Sequence, residues 1–300
     1  VDGPPASALL VLARFPPTRY SRLLSVVGVE GAPSGRDARC LPGPVRSTEG
    51  TSPLASVDLN SDLGEGYGAY ACGDDAAILG IVTSANVACG LHAGDPEIMA
   101  RTFALAKDRG VAVGAHPGFP DLWGFGRRRM PFSPPEIERL VAYQVGAAQA
   151  LAAYAGHRIT YVKAHGALAN LAAEDRAVAD AIAKAVRAVD RDLALLAIAL
   201  TAQVPAGEGC GLDVHQEIFA DRGYTPTGLL IPRSQPGAMI TDAGEAADRV
   251  LRMVEAGAIL TADGRTLPTP IRSICVHGDS AHAVATARAV RTRLEGAGVT

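Results

Sequence analysis

Asp58, Asn60 and Asp62 stand two residues apart in the run DLNSDLGEG at 58–66. On a strand that spacing places three polar groups on one face. Burying them is costly unless they satisfy one another or do chemistry. ACGLHAGD at 88–95 and GAHPGFPDLWGFGRR at 114–128 share the pattern, beginning with small or apolar residues and ending in acids, histidine and glycine. His92, His116, His165 and His277 each sit at or just beyond the end of a strand-like run, and Asp95 follows His92. Imidazole can act as base, acid or metal ligand near neutral pH. Tyr161, Lys163 and His165 alternate along another strand face. A lysine there either meets a substrate carboxylate, works with a lowered pKa, or pairs with Asp58 or Glu217 in a purely structural role. Glu217, Asp221 and Arg222 close QEIFADR, Arg233 and Gln235 lie in PRSQPG, and His277 and Asp279 close ICVHGD. Arg127 and Arg128 follow Gly126, where guanidinium groups can clamp a carboxylate or phosphate.

These residue types allow several chemistries. Asp62, His116, Lys163 and His165 are the candidates for acid–base catalysis. Asn60, His92, Asp95, Arg127, Glu217, Arg222, Arg233, Gln235, His277 and Asp279 are the candidates for substrate binding. Asp62, His92 and His116 also make a carboxylate–imidazole set suited to a divalent metal, although no HExxH helix fixes a ligand spacing. Gly64, Gly66 and Gly68 suggest a tight loop over a mouth. GEGYG lacks the dinucleotide fingerprint, and no GxxxxGK[ST] phosphate loop occurs. His157 and His282 read as surface residues, and His215 is ambiguous. The five cysteines form no CxxC pair, which argues against a zinc ribbon or disulfide scaffold and for a reducing cytoplasm. Cys89 and Cys275 lie in strand-like runs and read as small apolar residues.

The elements that must carry these groups alternate. Strand candidates fall at 56–60, 83–89, 111–115, 159–164, 193–198, 213–219 and 272–277. Helix candidates fall at 96–109, 134–155, 175–189, 243–256 and 280–296. Asp95 with Pro96, and Ser133 with Glu136, are helix-start signals. Seven strands alternating with helices predict an α/β fold, a barrel of about seven parallel strands, with an open doubly wound sheet as the alternative. The segment 201–212, TAQVPAGEGCGL, lacks a helical pattern, which predicts a deformed fifth β/α unit. Of 300 residues, 48% are hydrophobic and 20% charged, with a net charge of −3. That suffices for one large core and gives no basic footprint for nucleic acid. No apolar run approaches the roughly 20 residues of a membrane helix. Residues 1–56 are rich in proline and glycine without periodicity, which predicts a disordered N-terminal extension; a misplaced start is one explanation. The catalytic domain is then 57–300.

Taken together, VDLNSDLGEG, GDD at 73–75, SANVACGLHAGD, GVAVGAHPGFPDLWGFGRR, YVKAHGALAN, EIFADRGY, PRSQPGA and ICVHGD resemble the LamB/YcsF family of 5-oxoprolinase A subunits. The resemblance covers 57–300. It implies a distorted β/α barrel similar to the glycoside hydrolase/deacetylase superfamily. It implies ATP-dependent opening of 5-oxo-L-proline to L-glutamate, in a complex with B and C subunits. ATP would bind at the barrel mouth or on those partners. The family's KPHGALYN stands here as KAHGALAN, so Ala164 and Ala169 alter the expected rim packing. A metal-dependent amidase or deacetylase, and a non-catalytic substrate-binding subunit, are the competing expectations.

Overall fold

Seven parallel strands close on themselves around a lumen filled with polar side chains. The computed structural model describes residues 56–300; the expected extension, apart from Ser56, lies outside the described residues. The barrel strands are β1 (Asp58–Leu63), β2 (Ser84–Ala88), β3 (Ala112–His116), β4 (Ile159–Val162), β5 (Ala194–Ile198), β6 (Val214–Phe219) and, late in the chain, β9 (Ser273–Val276). Each pairs with its sequence neighbour, and β9 inserts between β6 and β1 to close the ring. Between β6 and β9 lie a helix and a two-stranded antiparallel sheet, β7 (Ala258–Leu260) and β8 (Thr266–Pro268). The outer helices are α1 (Asp75–Ile78), α2 (Pro96–Asp108), α3 (Pro134–Tyr154), α4 (Gly166–Glu174), α5 (Arg176–Val189), α6 (Gln203–Gly209), α7 (Ala243–Ala256) and α8 (Ala283–Gly296). None is long and apolar enough to cross a membrane.

Strand alternation explains the layering. In β2, Ala85 and Val87 belong to the hydrophobic core, whereas Asn86 donates to Asn60 and Asp62 of β1 and Ser84 donates to Asp58. Many barrels fill the lumen with branched aliphatic side chains; this one fills it with hydrogen-bonded polar groups. Gly114 of β3 makes room for them: a Cβ there would strike the Tyr161 ring, whose hydroxyl donates to Asn86 at 2.7 Å.

Besides adding α1, β7 and β8, the structure departs from the sequence expectations in three places. β1 runs to Leu63, beyond the expected end, because Asp62 is paired inside the lumen. The fifth unit is shortened: α6 packs closely on the barrel, where a Cβ on Gly207 would lie 2.7 Å from Val214 and 2.9 Å from Leu195. The glycine that hid the helical pattern is what permits that approach. The helix α4 follows His165 directly and had no separate sequence signal.

Candidate active site at the C-terminal mouth

The loops after the strands enclose a cavity of about 570 Å³. Asp62, His116, Lys163 and His165 line it, with Glu217 and His277. Arg127, Arg129, Arg222 and Arg233 line its walls. Nine of the fourteen residues singled out from sequence therefore reach one cavity. The other five do not line it. Asn60 lies within the lumen network. His92 is buried among the other histidines. Asp279 pairs with Arg127 at 2.7 Å. Gln235 stands in an exposed turn. Asp95 caps α2, accepting from the amides of Glu97 and Ile98, and also from Gly68.

Lys163 anchors the floor. Its ammonium reaches Asn60 Oδ1 and Asp62 Oδ1 at 3.1 Å, Cys275 Sγ at 3.0 Å and Glu217 Oε2 at 3.1 Å. Burial disfavours that charge, yet the surrounding acceptors prevail and hold the Lys163 pKa well above the ordinary lysine value. Asp62 is likewise held well below the ordinary carboxylate range, the His116 ring and the Lys163 ammonium beside it outweighing its burial. Burial raises Glu217 despite Lys163 beside it. It also pushes the Cys89 thiol up to about 12 and the Cys275 thiol well above its usual value, so neither rests as a nucleophilic thiolate.

Three buried histidines and Glu65 form a second cluster beside this floor. His92 stacks on His165 with ring centres 3.7 Å apart. His116 meets both edge-on. Two carbonyls fix the tautomers of two of these rings. His116 Nδ1 lies 2.8 Å from the Lys163 carbonyl, and His165 Nε2 lies 2.8 Å from the Phe125 carbonyl. A carbonyl only accepts, so both nitrogens carry hydrogen. The remaining nitrogens, His116 Nε2 and His165 Nδ1, face each other at 3.0 Å, placed to share a proton or to turn two lone pairs toward one cation. Carboxylate oxygens flank them at 3.4 Å: Asp62 Oδ1 beside His116 Nε2, and Glu65 Oε1 beside His165 Nδ1. Glu65 Oε1 also lies 3.4 Å from His92 Nε2. Burial and the neighbouring histidines push the His92 and His165 pKa values well down. Burial and Asp62 push Glu65 well up.

Two imidazole nitrogens turned toward each other between carboxylates suit a bound cation as well as a shared proton. Donor atoms of Glu65, His92, His116 and His165 all lie within 4.8 Å of one another. Imidazoles that donate their other nitrogen to backbone carbonyls are the usual outer-shell arrangement of metal-ligating histidines. The cluster therefore fits a divalent ion better than the Asp62, His92 and His116 set expected from sequence. Glu65 was missed as a ligand. Its signal was an acid three residues after Asp62, between two glycines.

The loop after β3 holds this cluster in place. Asp121 accepts from the Gly124 amide at 2.9 Å and from Arg128 Nε at 3.0 Å. Phe125 is left-handed at φ 54, which aims its carbonyl at His165. Gly126, at φ +65, comes so close that a Cβ would lie 2.7 Å from His92 and 2.8 Å from His165. Arg128 is thus spent on the loop, whereas Arg127 and Arg233 extend to the cavity. Arg222 donates to the Ala238 and Ile231 carbonyls. Burial, with Arg233 nearby, lowers its pKa to about 10.

A family model described as "LamB/YcsF family" matches residues 57–300. The chain belongs to the LamB/YcsF family. Among similar proteins, the 5-oxoprolinase A subunit of Azorhizobium caulinodans is 68% identical over 246 residues, covering 82% of this chain and 97% of that protein. The 5-oxoprolinase A subunit of Gluconobacter oxydans is 60% identical over 244 residues, covering 81% and 96%. A crystal structure of a lactam utilization protein from Thermus thermophilus superposes with a TM-score of 0.77 at 48% identity, covering 81% of this chain and 98% of that one. The LamB/YcsF match thus spans the whole barrel, from the first strand to the last helix.

Proposed function

We propose that this chain is the A component of an ATP-dependent 5-oxoprolinase that opens 5-oxo-L-proline to L-glutamate together with B and C subunits. The near full-length similarity to proteins named as 5-oxoprolinase A subunits carries this reading, and the cavity is suited to it. 5-Oxoproline is a small anion containing a lactam. Opening it needs a hold on its carboxylate, polarisation of the amide carbonyl, a placed water and a proton for the leaving nitrogen. Arg127 and Arg233 supply the carboxylate clamp at the wall. Lys163, fixed as an ammonium, supplies positive charge at the floor. Glu65, His92, His116 and His165 would hold a divalent ion. When bound, such an ion polarises a carbonyl or a water. At about 570 Å³ the cavity is of a size typical for ligands much larger than this lactam, which leaves room for phosphate groups of ATP beside it. The free state of Cys72, Cys89, Cys210 and Cys275 suits a reducing cytoplasm.

Reconstitution with authentic B and C subunits tests the reading. Labelled 5-oxoproline should yield glutamate and ADP only when ATP and all three subunits are present. The histidine cluster specifically favours one rival, a metal-dependent amidase or deacetylase. Chelator-sensitive hydrolysis by the isolated chain without ATP would establish that rival instead.

A further inference from the structure

His277 is the cavity histidine that the cluster does not use. It follows β9, while Asp221 follows β6, and these strands are paired. Glu217 lies opposite Ser273 and Phe219 opposite Cys275, a constant offset of 56. Extending that register brings Asp221 beside His277. His277 Nδ1 lies 2.9 Å from both Asp221 carboxylate oxygens. This bond fixes the hydrogen on Nδ1 and leaves Nε2 bare. The ring stacks on Phe219, with centres 5.5 Å apart. Among the described residues Nε2 meets no hydrogen-bond partner, and the residue lines the cavity. A ring nitrogen of His277 lies within 4.8 Å of the Asp62 carboxylate and Cys275 Sγ.

The other candidates for proton transfer are committed elsewhere. Lys163 is held by four acceptors. His116 and His165 each give one nitrogen to a carbonyl and turn the other toward the cation cluster. His92 does not line the cavity. We propose that His277 Nε2 moves the protons of lactam opening, and that Asp221 is its positioning residue. The inference rests on the proposed function. In the hydrolytic step the oxygen of water bonds to the carbonyl carbon, and one water proton passes to His277 Nε2. The carbon–nitrogen bond then breaks with its electron pair going to nitrogen. Nε2 delivers its proton there, leaving an amine and a carboxylic acid, and the acid's proton, the second from water, passes to the amine to give the ammonium carboxylate. One water is consumed and the histidine is regenerated; ATP hydrolysis consumes a second. The titratable and charged groups sharing the cavity with His277 include Asp62 from β1, His116 from β3, Lys163 and His165 after β4, Glu217 and Arg222 from β6 and its end, and Arg127, Arg129 and Arg233 from the walls, with Asp221 bonded to the ring itself.

The test uses the chain assembled with authentic B and C subunits. His277→Gln should lower kcat a hundredfold or more, the usual scale for losing a positioned acid–base group, with KM nearly unchanged. In His277→Ala, added imidazole should restore part of the rate. Asp221→Asn should lose about tenfold and move the kcat/KM pH profile to lower pH, because a carboxylate favours the imidazolium. A merely structural Asp221 would leave that profile in place. Should His277→Gln not fold, Asp221→Asn and ¹⁵N-histidine NMR of the wild-type chain still decide, since hydrogen on Nε2 instead of Nδ1 refutes the assignment. An active wild-type complex with His277→Gln within threefold of it overturns this inference alone. A wild-type complex that makes no glutamate overturns the proposed function, and this inference with it.

Discussion

At the scale of single residues, the histidines show how far a sequence can be read. Four strand-end histidines were visible as candidates, and all four lie at the mouth. Their division of labour was not visible. It depends on which carbonyl each ring reaches, and the Phe125 carbonyl reaches His165 only through a left-handed residue 40 positions away. The cation reading makes a direct prediction. Protein stripped of metal should bind about one cobalt(II) per chain, with a d–d spectrum of mixed nitrogen and oxygen ligation. His165→Gln should weaken that binding by tenfold or more. No cobalt bound at millimolar concentration would mean that the facing nitrogens share a proton instead. Lys163 gives a second prediction. Replacing it with Met leaves Asp62 and Glu217 buried without their cation. Breaking a buried ion pair from one side costs about 3–5 kcal/mol, read as a fall in the urea midpoint. Lys163→Met with Glu217→Gln should recover part of that loss, because one of the stranded charges is removed.

At the scale of elements, the strands and long helices were legible because their signals are local. Apolar runs, Pro96 after Asp95, and Ser133 with Glu136 mark their positions, and α7 occupies the expected span. Short elements were not legible. α4 begins at Gly166, directly after a histidine assigned to a strand end, and Gly207 of α6 is explained only by its approach to Val214 and Leu195. Asp95 illustrates a residue whose type fits two roles. The structure makes it an N-cap that accepts from Glu97, Ile98 and Gly68. Asp95→Ala should therefore cost about 1 kcal/mol of stability, while Asp95→Ser should be nearly neutral. Both should leave KM for the substrate unchanged in the reconstituted complex. A KM increase common to both variants, without loss of stability, would return Asp95 to the binding site.

At the scale of the whole molecule, barrel closure makes distant sequence motifs one site. β9 lies between β6 and β1, so Ser273 and Cys275 enter the same lumen as Asn60 and Glu217, more than two hundred residues from β1. The ends of the described chain also meet, the Val57 amide donating to the Thr300 carbonyl at 2.9 Å. The family match begins at residue 57. Among the described residues the hydrophobic core draws on side chains from Val57 to Val299. A chain starting at Ser56 should therefore unfold at the same urea midpoint as the 300-residue chain, within about 0.5 kcal/mol, the range of changes that touch no packed feature. It should also support the same rate of glutamate formation with the B and C subunits. A lower midpoint would show that residues before Ser56 pack on the barrel. An unchanged midpoint with a lost rate would instead assign them to assembly with the partners.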